Sequence, residues 1–279
     1  MKTELVITSD DLGMTLSVNR GIDRARALGA LTSTNFMVPC PWFEHSARLF
    51  RDAEIDLGVH LTLTCEWSSY KWRPLTRAPS LLAADGCMYR TVRELMHGAR
   101  AEDIRAECRE QIAMALRRNL RISYVDVHMC IPTIREQGSG GALLANADFE
   151  LALMNIVNGI AREFGLAYPY ALQGDRLEHF RSALSISGKS RDHVEQYLRA
   201  LEPGVHHLSC HCAVESDEQD HLSEPEAAEY PWSLPYRSED LRTITSSWFR
   251  DLLAAQGVSL VRMPFTAPGA AATSPGRAR

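Results

Sequence analysis

Residues 4–13 read ELVITSDDLG, an apolar run that ends abruptly in polar residues and a glycine. The run from Glu4 to Thr8 is typical of a short buried strand, and the change of pattern after it predicts that the strand ends there. The pair Asp10-Asp11 therefore lies at the carboxyl end of the first predicted strand.

The segment after this strand is expected to be helical. Apolar residues recur at positions 18, 22, 25 and 28, behind Ser17 as the cap and before Gly29, which suits the position just past a helix. A second strand-like run then extends from Leu31 to Val38. Strand, helix and strand in this order predict a βαβ unit.

The same alternation continues along the chain. Further strands are predicted at Ile55–Thr64, Ser123–Met129, Leu166–Leu172, Ser182–Ser187, Val205–Cys210 and Val258–Arg262. Further helices are predicted at Ala101–Leu120, Ala147–Gly165, Arg191–Leu201 and Ser238–Ala255. A count near eight favours an α/β fold in the form of a parallel β/α barrel, TIM-like, built as one domain over residues 1–265. The tail 266–279, made largely of Ala, Pro, Gly, Ser and Arg, is expected to be disordered.

Two long segments interrupt this rhythm. Residues 65–98 are rich in aromatic residues and helix breakers, and residues 131–146 contain the run Gly138 to Gly141, which is expected to be mobile. Loops of this length in a compact domain often carry function. The aromatic side chains Trp67, Tyr70 and Trp72 either stack on a ligand or pack the loop on the domain.

The composition excludes several classes of protein. The chain has 279 residues, of which 45% are hydrophobic and 23% charged, with 30 basic against 35 acidic residues and a formal charge of -5. Such a chain has no general attraction for nucleic acid or anionic lipid. The first residues carry no signal-peptide core, and no apolar run is long enough to span a bilayer. We therefore expect a soluble, cytoplasmic protein with no nucleic-acid or membrane partner.

Seven cysteines form an odd set without a CxxC pair, which predicts reduced thiols. A thiolate zinc site built from Cys130, Cys210 and Cys212 is an alternative. It is disfavoured because alternation along a strand points residues 210 and 212 away from the side of His211.

Titratable residues converge at the predicted strand ends, where a parallel barrel has its active site. Beyond the aspartate pair, they are His60, Asp126, His128 and His211. Two imidazoles and a carboxylate form a frequent ligand set for a divalent ion, and a further carboxylate and imidazole provide a base and an acid. Each histidine alone is more often structural, and an aspartate pair before a glycine is an ordinary turn. Convergence of several strand ends on one edge favours a site.

Four segments together resemble the motifs of the YdjC-like (ChbG-like) carbohydrate deacetylases. They are residues 9–13, 57–64, 124–129 and 209–211, in the order and at the spacing of the family. The resemblance extends over residues 3–263 and includes Glu66-Trp67 and the segment from Tyr236 to Leu241.

The resemblance implies roles for individual residues. Asp11, His60 and His128 would be metal ligands, and Asp10 would be the general base that activates the attacking water. His211 would be the general acid or a stabiliser of the tetrahedral intermediate.

The resemblance also implies a reaction and its requirements. The reaction is hydrolysis of the N-acetyl group of a sugar or oligosaccharide to acetate and a free amine, with magnesium or zinc as the divalent cofactor. The partner is thus an N-acetylated saccharide, and a homodimer is expected. Substrate contacts are assigned by the same resemblance to Glu66, Trp67, Asp126 and Arg237.

The chain departs from the family pattern at two places. Cys212 follows the last histidine where many members have proline, and the motif from Asp126 to Met129 lacks the longer histidine run of the chitooligosaccharide enzymes. Alternatives therefore stay open: another barrel metalloenzyme acting on a phosphoester or as a sugar isomerase, or a catalytically silent sugar-binding protein.

Overall fold

We describe a computed structural model of the chain, which covers residues 2–129, 147–169, 172–173, 176–177, 179–218, 222 and 236–263. Its strands are β1 (Thr3–Leu12), β2 (Ser33–Phe36), β3 (Asp56–Leu61), β4 (Ile122–Val127), β5 (Leu172–Gln173), β6 (Arg176–Leu177), β7 (Ser182–Ser185), β8 (Gly204–Cys210) and β9 (Val258–Leu260). Its helices are α1 (Leu16–Ala27), α2 (Phe43–Phe50), α3 (Val92–Gly98), α4 (Ala101–Arg117), α5 (Ala147–Glu163), α6 (Arg191–Arg199), α7 (Tyr236–Thr245) and α8 (Ser247–Ala255), with a 3₁₀ turn at Pro79–Leu81.

The main sheet is parallel throughout, which confirms the predicted α/β class. Its strand order is β4-β3-β2-β1-β8-β7, and β9 pairs with the start of β1. Ala167 adds a parallel bridge to Tyr124 on the outer side of β4. Within the described residues no ladder joins β7 to Ala167, whereas β5 and β6 form a separate antiparallel pair. Helices connect the parallel strands, because a parallel pair needs a long crossover connection.

Strand β1 occupies the middle of the sheet, between β2 and β8. Its residues from Leu5 onward are buried, because both faces and both edges of the strand are covered. The carboxyl end of β1 therefore lies at the centre of the edge where the ends of β3, β4 and β8 also meet. Polar side chains at this end are held in low-dielectric surroundings.

Helix α1 is positioned by a close approach to the segment after β8. Gly21 faces Ala213, and a β-carbon at position 21 would lie 2.5 Å from the Cα of Ala213. The predicted cap at Ser17 is wrong: Thr15 caps the helix by accepting a hydrogen bond from the Val18 N–H at 3.1 Å. Gly29 has a φ of +69°, as expected for a residue just past a helix.

Several other boundaries differ from the sequence expectation. The predicted single helix over 238–255 is two helices, because Ser246 adopts an extended backbone and caps α8 through the Phe249 N–H. Helices α2 and α3 were not anticipated by the apolar pattern. The capping box of Thr91 and Glu94 that starts α3 was a readable signal for this helix.

Some expectations fall outside the described residues. These are the mobile glycine-rich run at 138–141, the disordered tail at 266–279 and any role of Cys130. Each of the six cysteines within the described residues has a free thiol. No helix in this part of the chain is long and apolar enough to cross a bilayer.

Candidate active site

The two aspartates at the end of β1 both enter the site because the strand is irregular there. The pairing of β1 with β2 shifts register between Ser9 and Leu12, and Asp11 has a φ of 70°. A regular strand would send neighbouring side chains to opposite faces. An irregularity of this kind re-aims one of them, and the left-handed conformation is one that aspartate tolerates better than most residues.

Asp11 meets two imidazoles from neighbouring strands. Its Oδ1 lies 3.2 Å from Nδ1 of His128 and 3.5 Å from Nε2 of His60. All three residues are buried and together form a group able to hold a metal ion. The structure thus brings together the three residues that the sequence analysis assigned as ligands.

A carboxylate contacts the far nitrogen of each imidazole. Asp126 Oδ1 lies 2.6 Å from His60 Nδ1, and Glu66 Oε2 lies 3.0 Å from His128 Nε2. An acceptor on one ring nitrogen places the proton there, so that in the neutral ring the lone pair of the other nitrogen faces Asp11. This is the arrangement in which carboxylates orient metal-binding histidines.

Arg237 holds the second oxygen of Asp11. Its Nη2 lies 2.6 Å from Asp11 Oδ2, and both side chains are buried. Burial alone would raise the pKa of Asp11, but the guanidinium, together with His128, outweighs burial and holds the pKa well below its ordinary value. Asp11 is therefore ionised near neutral pH.

Asp10 has a different environment. Asn35 donates one hydrogen bond to Asp10 Oδ1 and another to Asp126 Oδ2, each at 2.7 Å. Burial raises the pKa of Asp10 to about 7, and the neighbouring carboxyl groups of Asp126 and Asp11 add to the increase. A carboxyl group with such a pKa can exchange a proton near neutral pH. Asn35 was missed by the sequence analysis, although it is a polar residue inside a predicted buried strand.

The two imidazoles near Asp11 have a high affinity for protons. Burial lowers the pKa of His128, but Glu66 and Asp11 overcome this and raise it to about 10. For His60, burial is likewise outweighed, here by Asp126, and its pKa is raised. The carboxyl groups thus create a position that attracts positive charge, whether protons on the rings or a cation between them.

The residues fit a divalent cation. Asp11 Oδ1 is buried and has no hydrogen-bond partner, although it faces both ring nitrogens. The separations of 3.2 and 3.5 Å are close to the ~3.3 Å expected between two ligand atoms bound at about 2.0–2.1 Å in tetrahedral geometry. A cation there would satisfy the orphaned oxygen and offset the excess of carboxyl groups over the single guanidinium.

His211 approaches from the other side, at the end of β8. Its Nε2 lies 4.0 Å from Asp10 Oδ2, too far for a direct hydrogen bond. Its Nδ1 lies 2.8 Å from Ser187 Oγ, which also contacts Asp240. Burial lowers the pKa of His211 to about 3, so the ring is neutral at ordinary pH. Ser187 is the last residue of a predicted strand, and this position could have marked it as a site candidate. Asp240 lies in a helix, and no sequence pattern marked it.

Cys212 contributes through its backbone. Its N–H donates to Ser9 Oγ at 3.0 Å, a hydrogen bond that proline at this position would lose. Its thiol lies 3.7 Å from that of Cys210, on the same side, as strand alternation predicts. Among the described residues, neither thiol belongs to a group that could hold a metal ion. Cysteine in place of proline at position 212 thus keeps a hydrogen bond to Ser9.

The aromatic residues of the long loop are engaged with the domain. Trp67 donates its indole N–H to the Leu222 carbonyl at 3.1 Å and lies 5.8 Å from Trp72, between ring centroids. Trp72 donates to the Thr64 carbonyl at 2.9 Å, and Tyr70 to the Met14 carbonyl at 2.6 Å. These contacts pack the loop on the sheet edge.

Comparisons with known proteins agree with this architecture. A family model described as YdjC-like protein matches residues 4–255. A carbohydrate deacetylase of Vibrio campbellii is 24% identical over 269 residues, which is 92% of this chain and 94% of that protein. A carbohydrate deacetylase of Halalkalibacterium halodurans is 33% identical over 135 residues, 47% of this chain and 54% of that protein. The chain thus spans about half the length of this and similarly matched curated relatives.

A solved structure from Enterococcus faecalis, described as a candidate cellobiose-phosphate cleavage protein, is also similar. It matches with a TM-score of 0.76 and 20% identity over 94% of this chain and 98% of that chain. At this identity the match supports the fold alone.

Proposed function

We propose, from the premise that this chain belongs to the YdjC-like protein family, that it is a metal-dependent carbohydrate deacetylase. The reaction would be hydrolysis of the N-acetyl group of an acetylated sugar or oligosaccharide, with release of acetate and a free amine. A relative that is matched over 94% of its length is named carbohydrate deacetylase, which supports this reaction. The substrate is an uncharged acetamide, in agreement with the absence of a strong basic bias in the composition.

One observation carries the proposal. The buried cluster of Asp11, His60 and His128 has a titratable carboxyl group, Asp10, on one side and a neutral imidazole, His211, within 4.0 Å of that carboxyl group. Amide hydrolysis needs an electrophile for the carbonyl oxygen, a base for water and an acid for the leaving amine. With a cation in the cluster, these three requirements would be met by separate groups at one sheet edge.

The cation would be held by Asp11, His60 and His128. When bound, a divalent ion of this kind supplies Lewis-acid polarisation of the acetyl carbonyl and makes water a stronger acid. Both magnesium and zinc remain candidates; imidazole donors suit zinc better, since magnesium prefers oxygen ligands.

The proton transfers are assigned to the chain's own residues. Asp10 removes a proton from the attacking water as the oxygen bonds to the acetyl carbon. His211 delivers a proton to the departing nitrogen as the C–N bond breaks. Asn35 keeps the Asp10 carboxyl group in place through its hydrogen bond at 2.7 Å. Arg237 does the same for Asp11 from the side away from the imidazoles.

Four residues carry predicted substrate contacts, namely Glu66, Trp67, Asp126 and Arg237. The contacts observed for them are to protein groups. Those of Glu66 and Asp126 support a role in orienting His128 and His60. Direct substrate binding by any of the four stays a prediction.

The test is an acetate-release assay on a panel of N-acetylated mono- and oligosaccharides, with magnesium, zinc or no added metal. We expect release that depends on metal, and a loss of about 10²- to 10⁴-fold in kcat for Asp10→Asn, the usual worth of an acid–base group. The matched control is Asp103→Asn, which removes the charge of a carboxylate that contacts Ser80 and Arg100, and this variant should retain activity.

The outcome can also contradict the proposal. If Asp10→Asn binds metal and sugar as the unmodified protein does and releases acetate at the same rate, the mechanism is wrong. Binding of saccharide without acetate release from any member of the panel would favour a sugar-binding protein. Turnover of a phosphoester or sugar isomer instead would favour another barrel metalloenzyme.

A further inference from the structure

A hydroxyl group links His211 to a buried carboxylate. Ser187 Oγ lies 2.8 Å from His211 Nδ1 and also donates a short hydrogen bond to Asp240 Oδ2. The same carboxylate oxygen accepts the backbone N–H of His211 at 2.7 Å. Ser187 lies two residues after β7, His211 directly follows β8, and Asp240 lies in α7. Three elements thus converge on one imidazole, on its side away from Asp10.

The direction of these hydrogen bonds follows from counting protons. Asp240 Oδ2 accepts twice, from a backbone N–H and from a hydroxyl, so this oxygen carries no proton of its own. The Ser187 hydroxyl has one proton and gives it to Asp240, so toward the imidazole it can only accept. His211 Nδ1 must then carry a proton, and Nε2 must carry a lone pair on the side of Asp10.

The ionisation states agree with this count. Burial lowers the pKa of His211 to about 3 and raises that of Asp240 to about 7. Above neutral pH the ring is therefore neutral, and the carboxyl group is ionised. In a neutral ring the proton resides on one nitrogen or the other, so the choice of tautomer decides what the ring can do.

We propose that Ser187 and Asp240 are positioning residues, which fix His211 as the Nδ1–H tautomer and so reserve Nε2 for a proton in transit. The role of this tautomer in proton transfer rests on the proposed function. His211 in this tautomer cannot donate from Nε2 until it has received a proton there. When it has, the Ser187 hydroxyl and the Asp240 carboxylate stabilise the resulting imidazolium.

The proton route then balances with a single proton. It leaves the attacking water for Asp10, passes from Asp10 Oδ2 to His211 Nε2 and ends on the departing nitrogen as the C–N bond breaks. The 4.0 Å between Asp10 Oδ2 and His211 Nε2 requires a small side-chain movement or an intervening water for the middle step. No other acid is needed, and both residues return to their starting states.

The chain contains a matched pair for the test. Ser182, also on β7, contacts His206 Nδ1 at 2.7 Å, and His206 is on β8 as well. This second serine–histidine contact lies at the opposite, amino end of β8 and outside the proposed machinery. Ser182→Ala is therefore the control for loss of a hydroxyl group that contacts an imidazole.

The primary experiment is two-bond ¹H–¹⁵N NMR of the imidazole nitrogens at about pH 8, above the pKa values of His211 and Asp240. The His211→Gln protein identifies the His211 signals. We expect the Nδ1–H form in the unmodified protein, a shift toward Nε2–H in Ser187→Ala, and retention of Nδ1–H in Ser187→Thr and Ser182→Ala. If Ser187→Ala does not fold, Ser187→Val is compared with Ser187→Thr. These two side chains have the same shape, and only threonine carries the hydroxyl group.

The second readout is kinetic. Ser187→Ala should lower kcat for acetate release by about 10- to 100-fold with little change in KM, and Ser187→Thr should restore it. An Nε2–H ring in the unmodified protein, or a tautomer or kcat that does not respond to Ser187→Ala, would overturn the assignment. If the unmodified protein releases no acetate, the proposed function fails, but the NMR comparison still decides the roles of Ser187 and Asp240.

Discussion

The two sides of the sheet edge shift the pKa of histidine in opposite directions. On the side of β3 and β4, His60 and His128 each contact a carboxylate directly, at 2.6 and 3.0 Å. On the side of β7 and β8, a serine hydroxyl separates His211 from Asp240. The pKa of His128 is raised to about 10, whereas that of His211 is lowered to about 3.

The difference follows from charge and distance. His60 and His128 are buried and the His211 side chain is 13% exposed, and loss of solvation lowers the pKa of each imidazole. A carboxylate in contact reverses this effect, since Coulomb attraction in a poorly screened interior is strong at short range. A hydroxyl between the two groups orients the ring but supplies no charge. One side is thereby suited to hold a cation and the other to carry a proton briefly.

Removal of a ligand from the β3 and β4 side should have the largest effect. His60→Ala and His128→Ala should each lose the bound ion and lower acetate release by roughly 10³-fold or more, since a metal supplies several kcal/mol of charge stabilisation. Metal analysis of the purified proteins measures the first effect. His97→Ala, an exposed histidine on α3, should keep the ion. Full metal occupancy in either ligand variant would refute the ligand assignment.

Removal of charge behind a ligand should have an intermediate effect. Asp126→Asn keeps the size of the side chain that contacts His60 but removes its charge, so affinity for the divalent ion should fall about 10- to 100-fold. Metal titration by calorimetry checks this result. Asp56→Asn, at the opposite end of the sheet, is the control, because Asp56 accepts the Met263 N–H and does not contact the site. Equal affinities in Asp126→Asn and Asp56→Asn would remove Asp126 from the cation site.

The smallest expected effect concerns a buried neutral histidine on β8. Burial lowers the pKa of His207 to about 3, below the ordinary histidine value of 6.5. The unfolded state therefore binds more protons between these two values, and the contribution of His207 to stability is lost as pH falls through this window. At about pH 5.5 the loss should be about 1.4 kcal/mol relative to pH 7.5.

The comparison protein for this effect is His207→Gln. Denaturant unfolding of both proteins at the two pH values isolates the His207 contribution, because His60 and His128, whose pKa values are raised, shift stability in the opposite sense in both proteins. The difference in unfolding free energy between the proteins should shrink by that amount at the lower pH. A difference independent of pH would mean that His207 is not held neutral.

Local pattern predicted much of the fold from the sequence. The apolar run before Asp10 gave β1, and the regular alternation of strand and helix gave a parallel α/β sheet, because backbone pairing and apolar burial impose these periods locally. Polar residues at the ends of such strands meet at one edge in any parallel arrangement. His60, His128 and the aspartate pair could therefore be assigned together before their distances were known.

Other features depended on tertiary contacts. No pattern in the sequence predicted the loss of regular register in β1 at Asp11. This irregularity brings two adjacent aspartates into one site. The helix break at Ser246 and the cap at Thr15 rather than Ser17 likewise depend on which competing hydrogen bond the packed chain allows.

The residue types needed for the chemistry were thus determined by the sequence alone, whereas their protonation was decided by the tertiary structure. Which histidine contacts a carboxylate, and which contacts Ser187 instead, depends on residues 24 to 66 positions away along the chain. Proton affinity is set by burial and by charges within a few ångströms, and only the folded chain fixes those distances.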